Sequence, residues 1–348
     1  MKSQKTILIT GGAGFIGSNF THYIYNKYPE YKILVVDALT YAGSVDNLPA
    51  PIWTEDPEMR FEFVYGNVTN AELMDTLVSQ SDYIVHLAAE SHVTRSIYDN
   101  LQFFQTDVIG TQVLSNAVCK FKDRVSRFIH ISTSEVYGTA LTPSMDEDHP
   151  LNPMSPYASA KAGADRLVYS YWATYKIPAV IIRPFNNYGP RQHLEKVIPR
   201  FITSVILQEK LRVHGDGQAS RDFIHVDDTC RAIDLVLHAP AELVEGEVFN
   251  VGSNKHRSIL SIAEEITATM CRGKECTIHI GNRPGQVMRH TCDASKIKRV
   301  LGWKPEIAWE DALIATIQWY TDNEDWWRRL LWMREIPIIS AAGKKELH

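Results

Sequence analysis

The chain has 348 residues, 45% of them hydrophobic, and a net charge of −5; it is long enough for one large or two ordinary domains with a sizeable core, and offers no basic excess for nucleic acid or an anionic membrane. Its five cysteines, Cys119, Cys230, Cys271, Cys276 and Cys292, are odd in number and scattered, which argues against a disulfide framework or a metal site. No apolar run reaches the roughly 18 residues of a membrane span and no signal-like segment precedes the first strand, so a soluble cytoplasmic protein is expected.

The first predicted element is an apolar strand, Thr6 to Thr10, that turns directly into Gly11-Gly12-Ala13-Gly14-Phe15-Ile16-Gly17. Glycines at 11, 14 and 17 permit a tight turn, close approach of a pyrophosphate and close helix–strand contact. A second buried strand, Ile33 to Val36, ends at Asp37, whose carboxylate suits a free ribose 2′-hydroxyl. No arginine follows Asp37 directly, so NAD is favoured over NADP. Apolar runs at Phe61–Val64, Tyr83–Leu87, Arg127–Ser132 and Ala179–Arg183 alternate with helical or polar sequence, the pattern of an α/β Rossmann-type doubly wound parallel sheet. Helices near Asn100–Phe121 and Tyr157–Tyr175 carry surplus apolar faces, which points to a homodimer.

Between these helices lies the chemistry. Ile131-Ser132-Thr133-Ser134-Glu135 precedes Tyr157 and Lys161, which stand one helical turn apart on a helix that Ser155 caps and Pro156 begins. A phenol, a cation, a second hydroxyl and a carboxylate are the parts needed to oxidise an alcohol and then move a proton on the neighbouring carbon. The same Tyr-x-x-x-Lys spacing at Tyr23/Lys27 and Tyr28/Lys32 lacks that context.

Past Pro184 the pattern becomes irregular. Asn186 to Gln192 reads as a polar turn, followed by helices at Glu195–Lys210 and Asp227–His238, strands at Arg221–Val226 and Glu247–Val251, and helices near Ser258–Cys271 and Trp309–Tyr320. The expected division is a Rossmann domain over 1–185, with segments near 222–250 returning to it, and a smaller mixed α/β substrate-binding domain over 186–348. Arg183, Arg191, Arg221, Arg283 and Arg289, with Lys196, are spread among its turns, where several together would clamp a diphosphate. Six tryptophans from Trp303 to Trp332 read as core filling for a small domain.

The glycine turn, the Ser-Thr-Ser-Glu run, Ser155-Pro156-Tyr157 to Lys161 and Asn186-Asn187-Tyr188-Gly189-Pro190 together resemble the extended short-chain dehydrogenase/reductases that act on nucleotide sugars. Within them the chain is most similar to the NDP-sugar 4,6-dehydratases of the dTDP-glucose type. The resemblance implies bound NAD near Gly11, Gly14, Phe15, Ile16, Gly17, Asp37, Asn67, Val68, Leu87, Ala88, Ala89 and Thr106, with Tyr157 and Lys161. It implies a nucleotide sugar near Ser91, Asn187, Lys196, Arg221, Asn250 and Arg283. The implied cycle has Tyr157, its pKa lowered by Lys161 and the nicotinamide, take the C4 hydroxyl proton with Thr133 on the same oxygen. Glu135 then removes the C5 proton and water leaves C6.

Four positions depart from that pattern: Ser134 replaces an acid, Thr94 an aspartate, Asp107 an asparagine and Gln286 a histidine. A Ser-Glu pair also occurs in GDP-mannose 4,6-dehydratases and UDP-glucuronate decarboxylases, so a decarboxylase stays open, as do a C4 epimerase and a non-catalytic dinucleotide sensor.

Overall fold

A computed structural model describes residues 4–49, 60–271, 273, 276–281 and 287–335, together with the backbone of two short strands near the C-terminus. Six apolar runs become β1 (Thr6–Thr10), β2 (Lys32–Asp37), β3 (Phe61–Tyr65), β4 (Tyr83–His86), β5 (Arg127–Ile131) and β6 (Ala179–Pro184). Every residue of β1, β5 and β6 is buried. Burial on both faces is what parallel strands covered by helices require.

Side-chain alternation divides these strands between two layers. Ile7, Ile9, Val35, Ile129 and Val180 pack toward the helices Phe15–Lys27 and Val226–His238, through Phe20, Ile24, Ile233 and Val236. Leu8, Leu34, Ile84, Phe128 and Ile181 pack the other way, against Met74, Leu114, Val118 and Val168. The chain then adds β7 (Asn186–Tyr188), β8 (Leu211–His214), β9 (Ser220–His225), β10 (Val248–Val251), β11 (His256–Ser258) and β12 (Thr277–Ile280).

Among the described residues, β10 lies parallel to β6 and completes a seven-stranded parallel sheet in the order β10-β6-β5-β4-β1-β2-β3. A smaller sheet has the order β11-β9-β7, and β12 pairs with β8. A third core, around Tyr188, Phe201, Val213, Phe223, Ile262 and Tyr320, lies among these short strands and their helices. Trp303 and Trp327 are buried, as core filling demands, whereas Trp332 is exposed.

Two sequence expectations shift. Asn186–Tyr188 is strand rather than turn, because its backbone pairs with Asn186 opposite Phe223 and Tyr188 opposite His225. Arg183 is no part of a diphosphate clamp. It is buried, and its Nε and Nη2 each donate to Asp165 at 2.9 Å while Nη1 donates to the Tyr137 hydroxyl at 2.8 Å.

Burial alone would raise the Asp165 carboxyl, yet the Arg183 hydrogen bonds and charge, with Arg166, hold it below the usual carboxylate range. A depressed carboxyl stabilises the fold above the unfolded-state pKa, and that contribution is lost as pH falls through the folded-state value. Asp165→Asn is therefore expected to cost about 3–5 kcal/mol at neutral pH, by leaving the Arg183 charge buried without its partner. Urea denaturation across the acid range should show the gap between wild type and variant narrowing as pH drops.

Candidate active site

The carboxyl ends of β1, β2, β4 and β5 open into one cavity of about 450 Å³, within the range of small-molecule sites. Gly11, Gly14, Phe15, Ile16 and Gly17 form one end. Gly11 has φ 69°, and a Cβ there would stand 2.5 Å from the Ala88 backbone nitrogen; a Cβ at Gly17 would collide with the Gly11 carbonyl. No side chain caps the helix that starts at Phe15, so its first-turn N–H groups face an anion site. Asp37, at the tip of β2, accepts from Ala13 N at 2.9 Å and Leu39 N at 2.8 Å. Asn67, Val68, Leu87, Ala88, Ala89 and Thr106 continue the wall. A glycine turn with no room for side chains, an uncapped helix start and a carboxylate at the second strand fit a dinucleotide.

The candidate reacting groups come from two neighbouring elements. As β5 ends, Thr133 caps a short 3₁₀ turn over Ser134–Tyr137, its hydroxyl accepting from Glu135 N at 3.2 Å. Gly138, at φ 69°, stops that turn. Ser155 Oγ accepts from Ala158 N at 3.1 Å and starts the helix Pro156–Tyr175, which presents Tyr157 and Lys161 on one face. Lys161 Nζ donates to the Ile131 carbonyl at 2.7 Å. Thr133, Glu135, Tyr157 and Lys161 all line the cavity. Tyr23 and Lys27, by contrast, share Asp234 away from it.

Burial dominates the electrostatics of the Tyr157–Lys161 pair. It pushes the Tyr157 phenol well above its ordinary value, the charges of Asp107, Glu135 and Glu195 add to this, and the Thr133 hydrogen bond opposes it. Burial lowers the pKa of Lys161, with the Asp107 and Asp165 charges opposing. Asp107 lies in a π-helical turn, Phe104–Gly110, and accepts from Glu90 N at 2.8 Å. Burial raises its carboxyl, with Lys161 opposing.

Ser91, Asn187, Lys196 and Arg221 line the rest of the cavity. Two other expected residues do not. Ser134 is buried behind the wall, and Asn250 has its amide engaged by the Tyr137 hydroxyl at 2.7 Å and the Met145 carbonyl at 3.0 Å. Arg283 and Gln286 lie outside the described residues. Arg191 donates to Asn19, and Arg289 to the Pro143 and Thr142 carbonyls.

The structure adds groups that sequence reading missed. Glu195 accepts from Lys196 Nζ at 2.9 Å and the Tyr41 hydroxyl at 3.1 Å, with His92 Nε2 at 3.0 Å. Against the upward push of burial, Lys196 helps hold Glu195 at about 2, while burial lowers His92 to about 3. Arg200 and Arg212 also reach the cavity, both on Glu335 at 2.9 Å. The only sequence signal for this cluster was Glu195 standing beside Lys196. Among the described residues, no group of three or more His, Cys, Asp or Glu is placed to hold a metal ion.

The family model for GDP-mannose 4,6 dehydratase matches residues 8–316. The chain belongs to this family. A dTDP-glucose 4,6-dehydratase of Streptomyces niveus is 41% identical over 329 residues, 93% of this chain and 95% of that protein. The low-salt glycan biosynthesis protein Agl12 of Haloferax volcanii is 44% identical over 319 residues, 92% of this chain and 99% of its own. The crystal structure of DesIV, a dTDP-glucose 4,6-dehydratase from Streptomyces venezuelae with NAD bound, superposes with a TM-score of 0.87 at 39% identity, covering 93% and 99% of the two chains.

The family's glycine turn generates a direct test. Gly17→Ala forces a methyl against the Gly11 carbonyl and is expected to cost about 1–3 kcal/mol, as overpacking does. Chemical denaturation of the purified variant measures it.

Proposed function

We propose that the chain removes water from an NDP-hexose of the dTDP- or UDP-glucose type and yields the NDP-4-keto-6-deoxyhexose, with NAD held at the glycine end of the cavity. One observation carries this reading. Glu135 lines the same wall as Thr133, Tyr157 and Lys161, so a carboxylate base stands beside the alcohol-oxidising pair. A 4-epimerase needs no base at C5.

When bound, NAD supplies the two-electron oxidant for C4, returns those electrons later in the cycle, and places a positive charge beside the phenol. Gly11, Gly14 and Gly17 let its pyrophosphate approach the backbone, and Asp37 accepts from the adenosine ribose. Tyr157 takes the C4 hydroxyl proton while Thr133 holds the same oxygen. The resulting 4-keto group acidifies C5–H. Glu135 removes that proton and the C6 hydroxyl departs. Arg221, Lys196 and Asn187 hold the diphosphate side, as their place in the cavity wall supports. Leu101, Phe104, Ile109 and Tyr169 are exposed on the two helices expected to pair between subunits, which supports a homodimer.

Mass analysis of products from a panel of dTDP-, UDP- and GDP-hexoses and UDP-glucuronate tests the reaction. Loss of one water is expected; loss of carbon dioxide or no change of mass would overturn the reading. Glu135→Gln keeps shape but removes the base, so C4 oxidation should proceed while elimination stops. Absorbance of the reduced cofactor should then rise and persist in a single turnover. Calorimetry should find NAD bound far more tightly than NADP, because a 2′-phosphate would meet the Asp37 carboxylate; equal affinities would count against Asp37 as the ribose contact.

A further inference from the structure

Behind the Glu135 wall lies a fully buried imidazole, His290, set edge-on to Phe185. Its Nε2 stands 2.7 Å from the Gly138 carbonyl oxygen. A carbonyl only accepts, so Nε2 carries a hydrogen in either protonation state and Nδ1 is the nitrogen that gains or loses a proton. Nδ1 faces Ser134 Oγ at 3.5 Å, the long limit of a hydrogen bond, and Glu135 Oε1 at 3.8 Å. Ser134 does not line the cavity, whereas Glu135 does. A proton for the departing hydroxyl therefore reaches the sugar from Glu135, not from Ser134.

Resting on the dehydratase reading above, we propose that Glu135 and His290 act as a dyad: Glu135 is the base and acid that touches the sugar, and His290 is its positioning partner, holding the transferred proton on Nδ1 between the two steps. Glu135 lifts the C5 proton, and the C5–H electron pair ends in the C5=C6 bond. The C6–O bond breaks with its electron pair on oxygen. The proton returns from Nδ1 through Glu135 to that oxygen and leaves as water. Atoms and charge balance without an outside acid, and the dyad ends as it began. The Ser134 hydroxyl donates to a neutral Nδ1 and accepts from a protonated one, so it serves both states. Burial lowers the ring's pKa, Glu135 opposes this, and the Arg221 and His149 charges add to it. With Nε2 committed to the Gly138 carbonyl, Nδ1 is the ring position open to a proton.

The test is His290→Asn, which keeps a donor for Gly138 and removes the titrating nitrogen, in single turnover with an NDP-hexose that the wild-type protein dehydrates. C4 oxidation is expected near the wild-type rate and elimination slowed about 10²-fold. Reduced cofactor should accumulate, KM should hold, and the acid limb of the elimination pH profile, set in wild type by Nδ1 together with the Glu135 carboxylate, should move to the position set by Glu135 alone. His290→Gln is read in the same way should the asparagine variant melt below the assay temperature. Elimination at the wild-type rate with an unchanged pH profile, or equal slowing of both steps, would overturn the dyad alone. Wild-type protein that removes no water from any NDP-hexose would overturn the dehydratase reading and the dyad together.

Discussion

The hydrogen bond from Lys161 Nζ to the Ile131 carbonyl, 2.7 Å long, joins the two elements on which the reacting groups stand. An ammonium buried without partners is prohibitively costly. The last carbonyl of β5 meets that need at the point where the strand gives way to the Thr133 turn. Once Lys161 is docked there, the i, i+4 relation of the helix sets Tyr157 over Thr133. Asp107 adds a charge that both Lys161 and Tyr157 sense, raising the pKa of each.

That arrangement bears on how a buried tyrosine would serve here. Its phenol is pushed up by desolvation and by three nearby carboxylates, Asp107, Glu135 and Glu195, so a positive charge placed beside it would ease loss of its proton. On the proposed reading, bound NAD would supply that charge and so ready Tyr157 as the base.

How much of this was legible in the sequence follows from chain distance. The glycine turn, Asp37, Thr133, Glu135, Tyr157 and Lys161 sit in short contiguous patterns with their own start and stop signals, and the structure brings them to one cavity, while Ser134 of the same run is buried behind its wall. The strands of the large sheet were legible as apolar runs because both of their faces are covered. Asn186–Tyr188 was not, since only pairing with β9 makes a strand of two asparagines and a tyrosine. Arg183 misled because a guanidinium near a turn reads alike whether it meets a ligand or, as here, a buried aspartate eighteen positions away. His290 left no trace because 156 positions separate it from Ser134, and only the fold closes that gap.

The return of β10 to the edge of the large sheet has a mechanical consequence. The chain leaves that sheet between Pro184 and Asn186, comes back at His225–Val226 into a helix packed on the large sheet, and departs again between Val251 and His256. A body tethered by several covalent crossings cannot swing freely like one on a single linker. Ending the chain after Pro184 would therefore also remove β10, an edge strand, from the sheet whose β5 carries the carbonyl partner of Lys161.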